Sequence, residues 1–188
     1  MMNTMKLPNL LTALRMALIP AFVLVFWMPQ DSAHVWAALI FAVAGLTDWL
    51  DGYLARRLSQ GSRFGVLFDP IADKMMVSAA LLLLVQELPE WWLVLPSLII
   101  IGREITVSGL REWLAGEASK GKVPVKWLGK LKTAVQMVAL FCLLISIPGW
   151  TSIGLPFGLF LLYMAALLTL LSGLDYLWQA WPSIRQGL

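Results

Sequence analysis

The chain has 188 residues, of which 60% are hydrophobic and 13% charged, and a formal net charge of +3 at neutral pH. That balance excludes an ordinary water-soluble domain and points to one polytopic membrane domain over residues 1–188. The single cysteine, Cys142, excludes a disulfide framework; the single histidine, His34, excludes a histidine-based metal site or a Ser-His-Asp triad.

Six apolar stretches follow in order, at 7–28, 35–58, 64–86, 91–114, 127–147 and 153–180. Most reach the roughly 20 residues needed to cross a bilayer as a helix, so the expected fold is all-α with six transmembrane helices. The first stretch is too long for a signal-peptide core and no small-residue cleavage site follows it. The connectors 29–34, 87–90 and 148–152 carry no Lys or Arg. The other side holds Lys6, Arg56, Arg57, Arg63, Lys74, Arg111, Lys120, Lys122, Lys126, Lys130, Lys132 and Arg185. By the positive-inside rule both termini face the cytoplasm. Trp91, Trp92, Trp150, Trp178 and Trp181 fall near stretch ends, as interfacial tryptophans do.

Chemistry concentrates where the second and third stretches meet, in Asp48-Trp-Leu-Asp51-Gly52-Tyr-Leu-Ala55-Arg56 and Gly65-Val-Leu-Phe-Asp69-Pro-Ile-Ala-Asp73. Ionised groups at membrane depth are costly and default to a functional reading. Asp48 and Asp51 are three apart and Asp69 and Asp73 four apart, so each pair shares a helix face. Two helices offering two carboxylates each to one cleft make an all-oxygen site suited to Mg2+ or Mn2+. Gly52, Ala55 and Gly65 suit either close helix packing or room for a nucleotide between the helices. Arg56 can reach a phosphate bidentately, or serve to set topology. The same aspartates could line a divalent-cation transporter, but no polar path continues across the third and fifth stretches.

The pattern Asp-x2-Asp-Gly-x2-Ala-Arg-x8-Gly-x3-Asp-x3-Asp, met here at every fixed position from Asp48 to Asp73, resembles the signature of the CDP-alcohol phosphatidyltransferases. Pro8-Asn9-Leu-Leu-Thr12-Ala-Leu-Arg15, Gly102-Arg103-Glu104 through Arg111-Glu112-Trp113, and Gly129-Lys-Leu-Lys132-Thr133 are similar to bacterial members that use glycerol 3-phosphate. The resemblance covers nearly the whole chain. It implies a homodimer in the bacterial cytoplasmic (inner) membrane, multi-pass, with its active site facing the cytoplasm. It also implies two divalent ions, and transfer of a phosphatidyl group from CDP-diacylglycerol to an alcohol with release of CMP. Membrane lipids are the surroundings it implies, and nucleic acid is not a partner. By position, Asp48, Asp51 and Asp69 would be metal ligands, and Asp73 a further ligand and the general base. Gly52, Ala55, Arg56, Ser62 and Gly65 would line the CDP pocket, with Asn9 and Thr12 approaching from the first stretch.

Glycerol 3-phosphate is a dianion and needs cations. Arg103 lies well inside the fourth stretch, too deep for an ordinary loop residue. Arg111 follows eight residues later, about 80° round a helix. Lys132, at the start of the fifth stretch, completes the expected phosphate cradle, or else snorkels to the interface. Glu104 either pairs with one of these cations or only neutralises the cavity. Inositol phosphate, serine and phosphatidylglycerol are the alternative acceptors.

Overall fold

The structure, a computed structural model, describes the backbone at 7–30, 32–58, 63–116, 127–146 and 154–186. Side chains are described at 10–30, 32–48, 50, 68–113, 131–146, 154–181 and 185. Six helices make up the described chain: α1 Leu7–Phe26, α2 Ala33–Leu58, α3 Arg63–Glu87, α4 Trp91–Gly116, α5 Trp127–Ser146 and α6 Gly154–Gln186. No strand occurs among the described residues. The helices start and stop within two residues of the apolar stretches, except that α6 runs six residues past Ala180. His34 sits in the first turn of α2, where its ring meets Phe26 edge-on at 4.7 Å.

These segments are helical because long apolar runs are rich in Leu, Ala and Met, which lose little rotamer freedom in a helix. The turn before α2 closes through the Ser32 carbonyl, which accepts from the Trp36 amide at 3.0 Å. Polar side chains within the helices satisfy themselves locally. Thr47, Ser97 and Ser146 donate to carbonyls three or four residues back, at 2.6–2.7 Å. Such back-bonding is the inexpensive way to keep a hydroxyl in apolar surroundings.

The core threads all six helices. Phe22 and Phe26 of α1 pack with Phe41 of α2, the Phe22 and Phe41 rings lying 6.1 Å apart. Around them stand Ala37, Ala38 and Ala44 of α2, Ala72, Ala80, Leu81 and Leu84 of α3, and Leu140, Leu143 and Leu144 of α5. Leu162, Ala165 and Ala166 carry the core into α6. The alanines let backbones approach closely, which drives association where no hydrophobic effect acts between helices. Helix α5 packs most extensively on α6, α1 on both α2 and α3, and α4 on α6.

Two helical stretches, Trp91–Trp113 and Gly154–Trp181, are long and apolar enough to cross a membrane. Shorter apolar stretches occupy Leu10–Phe26, Ala33–Asp48 and Leu131–Ser146. Large apolar side chains also cover the outside: Leu24, Leu46, Leu82, Leu98, Ile105, Phe160 and Leu174 are each more than 60% exposed. Contiguous apolar surface on this scale marks a chain that contacts membrane.

The alternating helices bring the N-terminal half of α1 to the middle and C-terminal half of α2 and the N-terminal half of α3. They likewise bring the C-terminal half of α4 to the start of α5 and the C-terminal half of α6. Among the described residues the ion pairs fall in these segments.

Candidate active site

The carboxylates of α2 and α3 meet on α1. Arg15, one turn below Thr12, is 1% exposed, and its Nη1 lies 2.6 Å from Asp48 Oδ1 and 4.0 Å from Asp69 Oδ1. Thr12, fully buried, donates its hydroxyl to the same Asp69 oxygen at 2.7 Å. Residues 12 and 15 are i, i+3 on one helix face, so α1 holds two aspartates from two other helices. Arg15 Nε and Nη2 are buried without a hydrogen-bond partner. A buried guanidinium with unpartnered donors is costly. Sequence reasoning placed Thr12 toward the nucleotide; the structure places its hydroxyl on Asp69. Arg15 was not among the expected site residues. Its signal was present, as the only charge inside the first apolar stretch and one turn from Thr12.

Asp73 lies one turn beyond Asp69 on α3. It lines a small cavity with Lys74, Ser78, Glu104, Thr133 and Gln136, between α3, α4 and α5. It is within electrostatic range of Asp48 and Arg15 on one side and of Glu104 and Lys132 on the other. Asp73 therefore joins the aspartate pair to a second charged group.

That second group centres on Glu104. Its Oε1 accepts from Lys132 Nζ of α5 and lies 3.5 Å from Arg103 Nη1. Arg103 Nη2 donates to Ser172 Oγ of α6 at 2.9 Å. Its aliphatic stem crosses α6 at Gly173, where a Cβ would stand 3.1 Å from Arg103 Cγ and 3.2 Å from Nε. Only a residue without a side chain leaves that slot open. Arg111 is exposed, with its guanidinium carbon 5.8 Å from the centre of the Tyr176 ring, also on α6. So Arg103 and Lys132 share one carboxylate, and Arg103 and Arg111 both lean on α6. Glu104 stands between Lys132 and Arg103.

A divalent-metal site needs hard oxygen donors around a point. Asp48 and Asp69 supply them from two helices, held to a common buried cation, and Asp73 is one turn further on. The chemistry of this donor set fits Mg2+ or Mn2+. No group of three carboxylate, imidazole or thiol residues poised for a metal occurs among the described residues. Asp51, the expected fourth carboxylate, has its side chain outside them. Asn9, Gly52, Ala55, Arg56 and Gly65 lie on described helix backbone with side-chain positions outside the described residues, and Ser62 lies outside them altogether.

Known proteins bear on the same residues. The chain matches the CDP-alcohol phosphatidyltransferase family across residues 5–181. It is 50% identical over 186 residues to the CDP-diacylglycerol–glycerol-3-phosphate 3-phosphatidyltransferase of Pseudomonas fluorescens, covering 96% of this chain and 93% of that one. It is 48% identical over 172 residues to the protein of the same name from Escherichia coli strain K12, covering 92% and 93%. The Shigella flexneri serotype 5b protein of that name matches at the same level. With the signature carboxylates gathered by α1 and the match running almost end to end, the chain belongs to the CDP-alcohol phosphatidyltransferase family.

Proposed function

We propose that this protein transfers a phosphatidyl group from CDP-diacylglycerol to sn-glycerol 3-phosphate, giving phosphatidylglycerol phosphate and CMP. The observation that carries the reading is identity near one half over more than nine-tenths of relatives that bear this activity in their names. In the reaction the acceptor hydroxyl oxygen forms a bond to the phosphatidyl phosphorus, the bond from that phosphorus to the CMP oxygen breaks, and the hydroxyl proton leaves.

Asp48, Asp51, Asp69 and Asp73 would hold two divalent ions. When bound, such ions neutralise the pyrophosphate and stabilise charge on the departing CMP. Thr12 and Arg15 orient Asp69 and Asp48 toward that task. Asp73 takes the acceptor proton, since it borders the polar cavity and no histidine stands near it. Gly52, Ala55, Arg56, Ser62 and Gly65, with Asn9 of α1, form the CDP pocket. Arg103, Arg111 and Lys132 attract the acceptor phosphate; the cavity beside Asp73, with Thr133 and Gln136 on its wall, receives its hydroxyls. An uncharged alcohol would leave these cations without an anionic ligand in poorly hydrated surroundings.

The protein works as a multi-pass homodimer in a bacterial cytoplasmic membrane, with six spans, both termini and the active site on the cytoplasmic side. Exposed apolar side chains on every helix support six spans, and the absence of Lys and Arg from the connectors 29–34, 87–90 and 148–152 supports that orientation.

The test is CMP release by purified protein from CDP-diacylglycerol, with glycerol 3-phosphate, inositol phosphate, serine, phosphatidylglycerol and glycerol offered in turn. Turnover with glycerol 3-phosphate well above the others is expected. Preference for an uncharged alcohol would refute the acceptor assignment, and no CMP release with any acceptor would refute the reaction.

A further inference from the structure

We propose that Glu104 is a positioning residue of the acceptor pocket, acting through Lys132 and Arg103. The proposal rests on the reading above that those two cations bind the acceptor phosphate.

Among the described residues Glu104 is the one anion in contact with both. It takes the Lys132 ammonium from α5 and faces the Arg103 guanidinium of its own helix. Lys132 is 6% exposed, and a lysine that deep without a partner would retract or shed its proton. Lys132 has four rotatable bonds and Arg103 a stem of similar length, so neither holds a fixed place unaided. Glu104 fixes one end of each. The other anchor of Arg103 is on α6, in Ser172 Oγ and the slot over Gly173. Arg103 Nε remains buried and without a partner, a donor still available to an anion.

Glu104 also forms part of the wall of the cavity that Asp73 borders. The carboxylate thus places the cations of the pocket at a set distance from the proposed base. Its charge matters as well. Arg103 and Lys132 with Glu104 sum to +1, and Arg111 brings the pocket to +2, which matches a dianionic phosphomonoester. Were Glu104 only balancing a buried lysine, its loss would lower stability and leave the acceptor constants in their ordinary proportion. As a positioning residue it affects the acceptor alone.

The experiment measures KM for glycerol 3-phosphate and for CDP-diacylglycerol, with kcat, in wild type, E104A, E104Q, K132A and E104A/K132A. E104A should raise the acceptor KM about tenfold or more, the scale of one charge-assisted contact, with kcat and the CDP-diacylglycerol KM within about threefold. E104Q should fall between, since its amide oxygen still accepts from Lys132. The double variant should lose less than the product of the two single effects, because the part of Glu104's action that passes through Lys132 is already gone and only the part through Arg103 remains. An acceptor KM that is unchanged or lowered in E104A overturns the proposal, as does an equal loss for both substrates or effects that multiply in the double variant. If E104A does not fold, E104Q decides the matter: it should raise the acceptor KM severalfold, and an unchanged acceptor KM overturns the proposal. A normal acceptor KM in K132A overturns the pocket reading and this proposal together. An effect of K132A without one of Glu104 overturns this proposal alone.

Discussion

Replacing Arg15 by methionine separates what the α1 clamp does for stability from what it does for catalysis. Methionine approximates the length of the arginine stem and suits a site that is 1% exposed. The change removes an ion pair of 2.6 Å to Asp48, but the Asp48 side chain is 49% exposed and can turn to water. The loss on that side is therefore about 1.5–3 kcal/mol, the value of a charge-assisted contact, and not the full cost of stranding a buried charge. Against it stands relief for Nε and Nη2, two buried donors without partners, at about 1–3 kcal/mol for each such group. Two relieved donors together are worth about 2–6 kcal/mol against about 1.5–3 kcal/mol lost, so the change should cost no more than about 1 kcal/mol of folding stability. Catalysis has no such offset. Asp48 loses its anchor and Asp69 keeps only Thr12, and residues that orient metal ligands are worth about 10–100-fold in metal affinity or activity. The assays are thermal unfolding in detergent and CMP release at saturating Mn2+. A variant that turns over like wild type would refute the clamp. Gross unfolding would refute the offset.

Thr12→Val keeps shape and removes the hydroxyl that holds Asp69 at 2.7 Å; activity should fall about tenfold, and metal affinity measured by Mn2+ titration should weaken in parallel. Asp48→Asn and Asp69→Asn should each abolish CMP release while leaving the protein folded, checked by size-exclusion profile and helix content. Chelation with EDTA should stop turnover and excess Mg2+ or Mn2+ restore it; activity that survives full chelation would exclude the two-ion reading. Gly158→Ala should destabilise by about 1–3 kcal/mol without a specific effect on either KM, because the new methyl would lie 2.9 Å from Leu143 Cγ and 3.2 Å from the Leu143 amide nitrogen.

The helices could be read from the sequence because an apolar run and its polar breaks are local properties. Their bounds hold to within two residues at eleven of the twelve ends. The exception, the C-terminus of α6, shows that a helix need not stop where hydrophobicity does: Trp181, Ser183 and Arg185 continue it beyond the apolar stretch. The aspartate pairs of α2 and α3 were also readable, since spacing of three or four fixes a shared face. Which way that face turns is decided between helices and has no local signature. Arg15 on Asp48, Arg103 leaning on Ser172 and Glu104 standing between Arg103 and Lys132 are all of this kind. Counting cations anticipated a cradle of three, with Glu104 pairing with one of them or only neutralising the cavity; that it meets both Lys132 and Arg103 depends on how α4 and α5 pack.

The α1 contacts carry a consequence for how this protein is made. Helix α1 leaves the ribosome before α2 and α3, yet the aspartates it contacts arrive with those two helices. The clamp is therefore complete only when the third helix has packed back onto the first. A chain without α1 would retain all four signature aspartates and still lack the contacts that hold Asp48 and Asp69.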